Sequence, residues 1–324
     1  MNKLAVVGLG NISTRHRANL KILYPNSTVV AMSASGRLLQ ELPSDSDAIA
    51  HSIDEIIDYN PDMVIIASPA TLHHKHAVPF IESGIPILIE KPISASLVDA
   101  KAVLQSSQTF KTPVAIGYCL RYLSSSQEIN SVLQSGLIGE LYNVSVEVGQ
   151  YLPDWRTNQS YKDSVSASCS LGGGALLELS HEIDYTQWLV GQLSPISAIL
   201  RSSRDLGLEV EDSADILSIN KDGTVISIHL DFLQRQPYRK CRFMGSKGSL
   251  EWNLIKNSIV LHDKNQNKVI FSNPEWDRNK MYLNMILDFE SMILGKPNQC
   301  ITPLEATDTV SFISKVRSLN KNWK

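Results

Sequence analysis

Apolar residues fall along the first third of the chain in short unbroken runs: Leu4–Val7, Thr28–Met32, Met63–Ala67, Ile87–Ile89 and Pro113–Gly117. Unbroken runs, unlike alternating ones, mark strands covered on both faces, as in a parallel sheet. Helical stretches separate them, among them Ser52–Tyr59 and His74–Ser83, the second closed by Gly84. The alternation of strand and helix predicts an α/β domain over residues 1–120 with a parallel sheet.

After Gly117 the pattern changes. Ser125–Ser135 predicts a helix, Gly136–Gly139 a turn, and Tyr142–Val148 alternates as a half-buried strand does. A polar loop, Leu152–Leu171, leads into Gly172-Gly173-Gly174 and one apolar helix ending near Val190. The runs Ile216–Ile219, Val225–Phe232, Arg239–Met244 and Ser258–His262, parted by turn signals at Lys221–Gly223 and Gly245–Gly248, predict a mostly antiparallel open sheet. Helices over Lys280–Leu294 and Leu304–Leu319 close the chain, with Gly295 and Pro297 between them. Residues 121–324 thus read as a second α/β domain, joined to the first without a flexible linker.

Composition narrows the function classes. The chain has 324 residues, which suits two domains at roughly 150 residues each. Net charge is -3 and no basic stripe is visible, which argues against a nucleic-acid partner. No apolar run reaches the ~18 residues of a membrane span. The run before Gly8 is shorter than the ~7–15-residue core of a secretory signal, and no cleavage site follows. The four cysteines, Cys119, Cys169, Cys241 and Cys300, form no C-x-x-C pair. Thiols of a reducing compartment are the simple reading, and a cytoplasmic protein is expected.

The first chemical signal is Gly8-Leu9-Gly10-Asn11-Ile12-Ser13, directly after the first strand and before a helix. Such a loop lets backbone approach a pyrophosphate at a helix N-terminus, with Gly8 for the turn and Gly10, Asn11 and Ile12 against the phosphates. It predicts a doubly wound Rossmann domain that binds NAD(P). Ser13 stands where a third Gly or Ala is usual. The second strand ends at Met32-Ser33-Ala34-Ser35-Gly36-Arg37, without the carboxylate that holds the ribose 2′-hydroxyl of NAD. Ser33, Ser35 and Arg37 suit a 2′-phosphate instead, so NADP(H) is expected in preference to NAD, unless Arg37 merely faces solvent.

Further segments lie at strand ends or near them: Ser68-Pro69-Ala70-Thr71-Leu72-His73, Glu90-Lys91-Pro92, Gly117-Tyr118-Cys119-Leu120-Arg121-Tyr122, and Gly172-Gly173-Gly174-x-x-x-Glu178-x-x-His181-x-x-Asp184. With the Gly8 loop, and in this order, the chain resembles the Gfo/Idh/MocA oxidoreductase family. The resemblance implies a Rossmann domain followed by an α/β domain whose open sheet often forms an oligomer interface, hence a homo-oligomer, dimer or tetramer. It implies NAD(P)-dependent oxidation or reduction of a sugar, sugar acid, nucleotide sugar or related polyol. It maps catalysis onto Lys91 and His181, and cofactor contact onto Ser68, Pro69, His73, Glu90 and Lys91. Two departures stand out. The family's Asp four residues before the histidine is absent, since position 177 is Leu, and Glu178, three before His181, is expected to replace it if both lie on one helix face. Cys119 stands where the family often has Asn.

Hydride transfer needs a carbon held near the nicotinamide and a proton route to its oxygen. Lys91 can polarise that oxygen, and an imidazole such as His181 suits general acid–base work near neutral pH. Tyr118, Arg121, Tyr122, Trp155, Arg156, Tyr161, Glu178 and Asp184 are the candidate substrate contacts, the two arginines pointing to an anionic substrate. His73-His74-x-His76 lacks matching ligands at metal-site spacing, and no G-x-S-x-G elbow suggests hydrolysis. Two rival functions remain open: a non-catalytic dinucleotide-sensing regulator, which is expected to lack the Lys or His, and a lyase or hydrolase that oxidises transiently and retains its NAD.

Overall fold

The computed structural model describes residues 1–155 and 160–320. It divides into two compact units, Met1–Cys119 with Asn279–Val310, and Leu120–Arg278 with the residues from Ser311 onward.

The first unit runs β1 (Lys3–Val7), α1 (Asn11–Leu23), β2 (Thr28–Met32), β3 (Ala48–Ala50), α2 (Ile53–Tyr59), β4 (Met63–Ile66), α3 (His73–Glu82), β5 (Ile87–Glu90), α4 (Leu97–Phe110) and β6 (Val114–Gly117). Its six strands form one parallel sheet in the order β3-β2-β1-β4-β5-β6. Every residue of β4, β5 and β6 is buried, as the unbroken apolar runs required. Two of the helices, α2 and α4, begin at serine caps. The Ser52 hydroxyl accepts the Glu55 N–H at the start of α2, and the Ser96 hydroxyl accepts the Asp99 N–H at the start of α4. The three-residue edge strand β3 pairs only with β2, through Val30–Met32. It is too short for a periodicity to announce it.

The second unit continues with α5 (Ser124–Gln134), β7 (Leu141–Gly149), α6 (Ala175–Glu178), α7 (His181–Val190), β8 (Leu193–Arg201), β9 (Ser213–Asn220), β10 (Val225–Asp231), β11 (Tyr238–Gly245), β12 (Gly248–Asn253), β13 (Ser258–His262) and β14 (Asn267–Ser272). Its eight strands are ordered β14-β13-β12-β11-β7-β10-β9-β8. All pairs are antiparallel except β7 with β10. Helices α5, α6 and α7 pack on one face. That face is apolar: Val144, Val146 and Val148 of β7, Ile226, Ile228 and Leu230 of β10, and Phe243, Leu250 and Trp252 are buried. Trp252 donates to the Ser125 hydroxyl at 2.8 Å and takes the edge of Tyr185. The opposite face carries Ser145, Ser227, Glu147 and Lys240, with Leu217, Val225 and Met244 exposed among them.

The chain ends with α8 (Lys280–Ile293) and α9 (Pro303–Leu319). Residues 279–310 were expected with the second domain, yet they cluster with the first unit. The bonds explain it. Asn279 exchanges amide hydrogen bonds with Asn19 of α1, the Tyr24 hydroxyl donates to Glu290 of α8, and the Ile116 N–H of β6 donates to the Ile301 carbonyl. Hydropathy alone could not assign two amphipathic helices to one sheet or the other.

Inside the second unit, the Glu182 carboxylate has no exposed surface and receives two N–H groups from Arg239, at 2.6 and 2.9 Å. The Tyr185 hydroxyl adds a third at 3.3 Å. Breaking a buried ion pair from one side leaves the other charge uncompensated, at about 3–5 kcal/mol. Arg239 is partly exposed, so Arg239→Met is expected to destabilise the protein by about 3 kcal/mol. Adding Glu182→Gln should restore most of this, and both are read from urea unfolding midpoints.

Candidate active site

Within the six-stranded sheet β1, β4 and β5 are neighbours, and each delivers a segment at its carboxyl end. After β1 comes the Gly8–Ser13 loop. Gly8 has φ of +125°, and a Cβ there would overlap the Ala67 carbonyl and the Ser13 hydroxyl. No other residue type fits. Ser13 is fully buried and its hydroxyl donates to the Ala67 carbonyl at 3.1 Å. The departure from Gly or Ala at this position thus has a cause: the serine satisfies a carbonyl that a smaller residue would leave bare. Gly10 caps α1 without a side-chain bond, no acid lies in the first turn, and open space surrounds its Cβ position. Uncapped N–H groups at an unobstructed helix N-terminus suit a pyrophosphate. Asn11 is exposed and Ile12 half-buried.

At the end of β2, Ser33 is buried and its hydroxyl lies 3.2 Å from that of Ser35, while Arg37 is exposed. After β4, Ser68 and His73 are buried and Pro69 half-buried. The His73 ring spans two carbonyls: Nδ1 lies 2.8 Å from that of Pro92 and Nε2 2.7 Å from that of Ser68. Two acceptors favour a charged ring, but burial outweighs them and pushes the pKa of His73 down. His73 therefore ties the turn after β4 to the one after β5. His76 sets its Nδ1 3.0 Å from the Ser68 hydroxyl.

After β5, Glu90 is buried and Lys91 half-buried. The Lys91 N–H donates to one Glu90 oxygen at 3.2 Å, and the other lies 2.7 Å from Nε2 of His16. Neither His16 nor Arg17 was legible as a site residue. Their signal was present: Ser13, His16, Arg17 and Leu20 share the buried face of α1. Two polar residues on such a stripe need partners. Arg17 donates to the carbonyls of Ser44 and Gly8, and burial lowers its pKa. Tyr118, expected to contact substrate, has no exposed surface in this structure.

The second unit holds the other predicted residues. Glu178 ends α6 and His181 begins α7, with Leu179 and Ser180 breaking the helix between them. The single helix expected over this stretch is therefore two, and the argument from one helical face does not apply. Glu178 accepts the Ser166 hydroxyl at 3.1 Å, and His181 is half-buried. The glycine run before them serves packing. A Cβ on Gly173 would meet the Val165 and Ser166 carbonyls, and Gly174 (φ +102°) lies against the Glu211 carboxylate, which accepts the Leu176 N–H.

Arg121 and Asp184 find each other. Nε donates at 2.9 Å and Nη2 at 2.7 Å to the two carboxylate oxygens, and both side chains are buried. The expected free cation is thus neutralised by the expected substrate-binding acid. Tyr122 is buried. Trp155 donates to the Gln150 carbonyl and packs its edge on Phe232, and the Tyr161 hydroxyl donates to the Leu206 carbonyl. Arg156 lies outside the described residues. Arg235, which stacks on Tyr151 at 3.7 Å where the loops after β7 and β10 meet, carried no sequence signal.

Residues 2–118 match the model of an oxidoreductase family with an NAD-binding Rossmann fold, and residues 126–251 match the Gfo/Idh/MocA C-terminal domain. The chain belongs to the Gfo/Idh/MocA family. It is 29% identical over 132 residues to the rhizopine catabolism protein MocA of Rhizobium meliloti, covering 40% of this chain and 38% of that protein. It is 25% identical over 201 residues to inositol 2-dehydrogenase of Leifsonia xyli subsp. xyli, covering 61% and 55%. The chain therefore spans less than two thirds of the length of these relatives. The fold is similar to that of a levoglucosan dehydrogenase solved with NADH and levoglucosan, at a TM-score of 0.84, 17% identity, and 98% and 96% coverage. Among the described residues no helix is long and apolar enough to cross a membrane.

His76 gives this region a pH signature. Burial, then the charges of His73 and Lys75, lower its pKa from 6.5 to about 4. The unfolded ring takes a proton first, so the stability it contributes is complete above pH 6.5 and is lost as pH falls toward 4. His76→Gln is expected to flatten the decline of the urea midpoint between those pH values; identical slopes for parent and variant would exclude it.

Proposed function

We propose that this protein is an NAD(P)-dependent oxidoreductase that moves a hydride to or from a CH–OH carbon of a sugar, sugar acid, nucleotide sugar or related polyol. The observation that carries the reading is the convergence on three adjacent strand ends. The Gly8–Ser13 loop, Ser68–His73 and Glu90–Lys91 follow β1, β4 and β5, and ligands of open α/β sheets bind outside the carboxyl ends of strands.

Gly8, Gly10, Asn11 and Ile12 hold the cofactor pyrophosphate, and Ser33, Ser35 and Arg37 its adenosine ribose. Ser68, Pro69, His73 and Glu90 line the path toward the nicotinamide. Once bound, the nicotinamide supplies or accepts the hydride. Lys91 donates a hydrogen bond to the reacting oxygen and stabilises charge on it. His181 takes the hydroxyl proton in oxidation and returns it in reduction. Tyr118, Tyr122, Trp155, Arg156, Tyr161 and Glu178 contact or frame the substrate, and the Arg121–Asp184 pair does so as a neutral unit. The family resemblance supports a homo-oligomer, dimer or tetramer, assembled through the open face of the eight-stranded sheet, and the cysteines, which form no C-x-x-C pair, support a cytoplasmic location.

A screen of sugars, sugar acids, nucleotide sugars and cyclitols with each cofactor, followed by nicotinamide absorbance, tests the reading. Turnover of at least one class is expected, with Lys91→Ala and His181→Ala each lowering kcat at least 100-fold, the scale of one general acid–base or electrostatic contribution, about 10²–10⁴. Unchanged turnover in Lys91→Ala would sink the mechanism. Tightly retained NAD with no net absorbance change would point to redox-neutral chemistry instead.

The absence of a carboxylate after β2 supports NADP(H). Arg37→Ala is expected to weaken NADPH binding roughly tenfold, about 1.4 kcal/mol, and NADH binding less than twofold, by nicotinamide fluorescence. Equal losses, or a parent protein that prefers NADH, would end this preference.

A further inference from the structure

His16 is fully buried in α1, the helix whose N-terminus faces the phosphate position. Its Nε2 lies 2.7 Å from Glu90 Oε1. A carboxylate accepts, so the ring hydrogen sits on Nε2. Nδ1 is buried and has no hydrogen-bond partner among the described residues, so Glu90 is the polar anchor of this ring. Tyr282 fixes the ring plane edge-on, with centroids 6.0 Å apart. On its far side the Glu90 carboxylate takes the Lys91 N–H at 3.2 Å. Gly117 confines it from a third direction, since a Cβ there would approach it to 3.3 Å. An apolar residue would fill the place of His16 without leaving a nitrogen unmatched; the carboxylate explains the histidine.

We propose that His16 is a positioning residue: through Glu90 it fixes the backbone from which the Lys91 side chain departs, tying that lysine to the helix that receives the cofactor. This rests on the role assigned to Lys91 above. It predicts a change in the chemistry of Lys91 without a change in cofactor affinity.

The test compares His16→Leu, which removes the donor, with His16→Gln, whose amide reaches the Nε2 position, and His16→Asn, whose amide does not. Acetylation of Lys91 by acetic anhydride in the cofactor-free protein, read by peptide mass spectrometry against exposed Lys75, needs no substrate. In His16→Leu the relative labelling of Lys91 is expected to change at least threefold. With the best substrate of the screen, kcat falls tenfold or more, while NADPH Kd and substrate KM stay within threefold. His16→Gln restores both and His16→Asn does not. A folded His16→Leu with parental labelling and kcat overturns the proposal, as does equal behaviour of the Gln and Asn variants, a comparison that survives if the leucine variant does not fold. Lys91→Ala runs in parallel. If it keeps full turnover, the reading of the site fails. If it is inactive while His16→Leu is parental, this proposal alone fails.

Discussion

The first unit depends on one close approach: the turn at Gly8 passes so near the Ala67 carbonyl that no side chain fits between them. That contact seats α1 across the ends of β1 and β4, and Ser13 fastens it with a hydrogen bond to the same carbonyl. Everything further along the helix inherits its position from there. One turn on, His16 meets Glu90, and Arg17 reaches back to the Gly8 carbonyl. The loop proposed to receive the cofactor phosphates is therefore also the fixed point from which the polar groups at the sheet's carboxyl edge are arranged.

The second unit solves a different problem, that of burying carboxylates. Glu182 and Asp184 are almost completely inaccessible and sit two residues apart on α7. Each is matched by an arginine that donates twice, Arg239 to the first and Arg121 to the second. Paired donors of this kind fix direction as well as charge. Arg239 ties the start of α7, and His181 with it, to β11 of the sheet, and Arg121 ties it to the segment before α5. If His181 moves the proton as proposed, this is the rigid support that transfer over hydrogen-bond distances requires.

Most of the parallel sheet was legible because burial on both faces writes itself as unbroken apolar runs. The Gly8–Ser13 loop was legible because Gly8 is demanded by backbone geometry and the loop stands between a strand and a helix. What escaped reading was relational. Leu193–Arg201 and Asn267–Ser272 are edge strands, whose exposed faces weaken any alternation. The break between α6 and α7 leaves no Gly or Pro to mark it. Arg121 and Asp184 each looked like a hand extended to a substrate, because a sequence does not reveal that 63 positions of separation close to 2.7 Å. The family resemblance supplied Lys91 and His181, but His16 had to be found from its partner.

The parallel pairing of β7 with β10 has a consequence for how the chain is made. Asn143 meets Val225, and the other neighbour of β7, β11, begins only at Tyr238. During synthesis at about 5–20 residues per second, β7 leaves the ribosome on the order of ten seconds before either partner exists. Both its edges are then unpaired, and the valines of its inner face have no sheet to join. An inner strand of the second unit is thus made well before either of its neighbours, and the nascent protein passes through a stage in which a strand with two open edges waits unpaired.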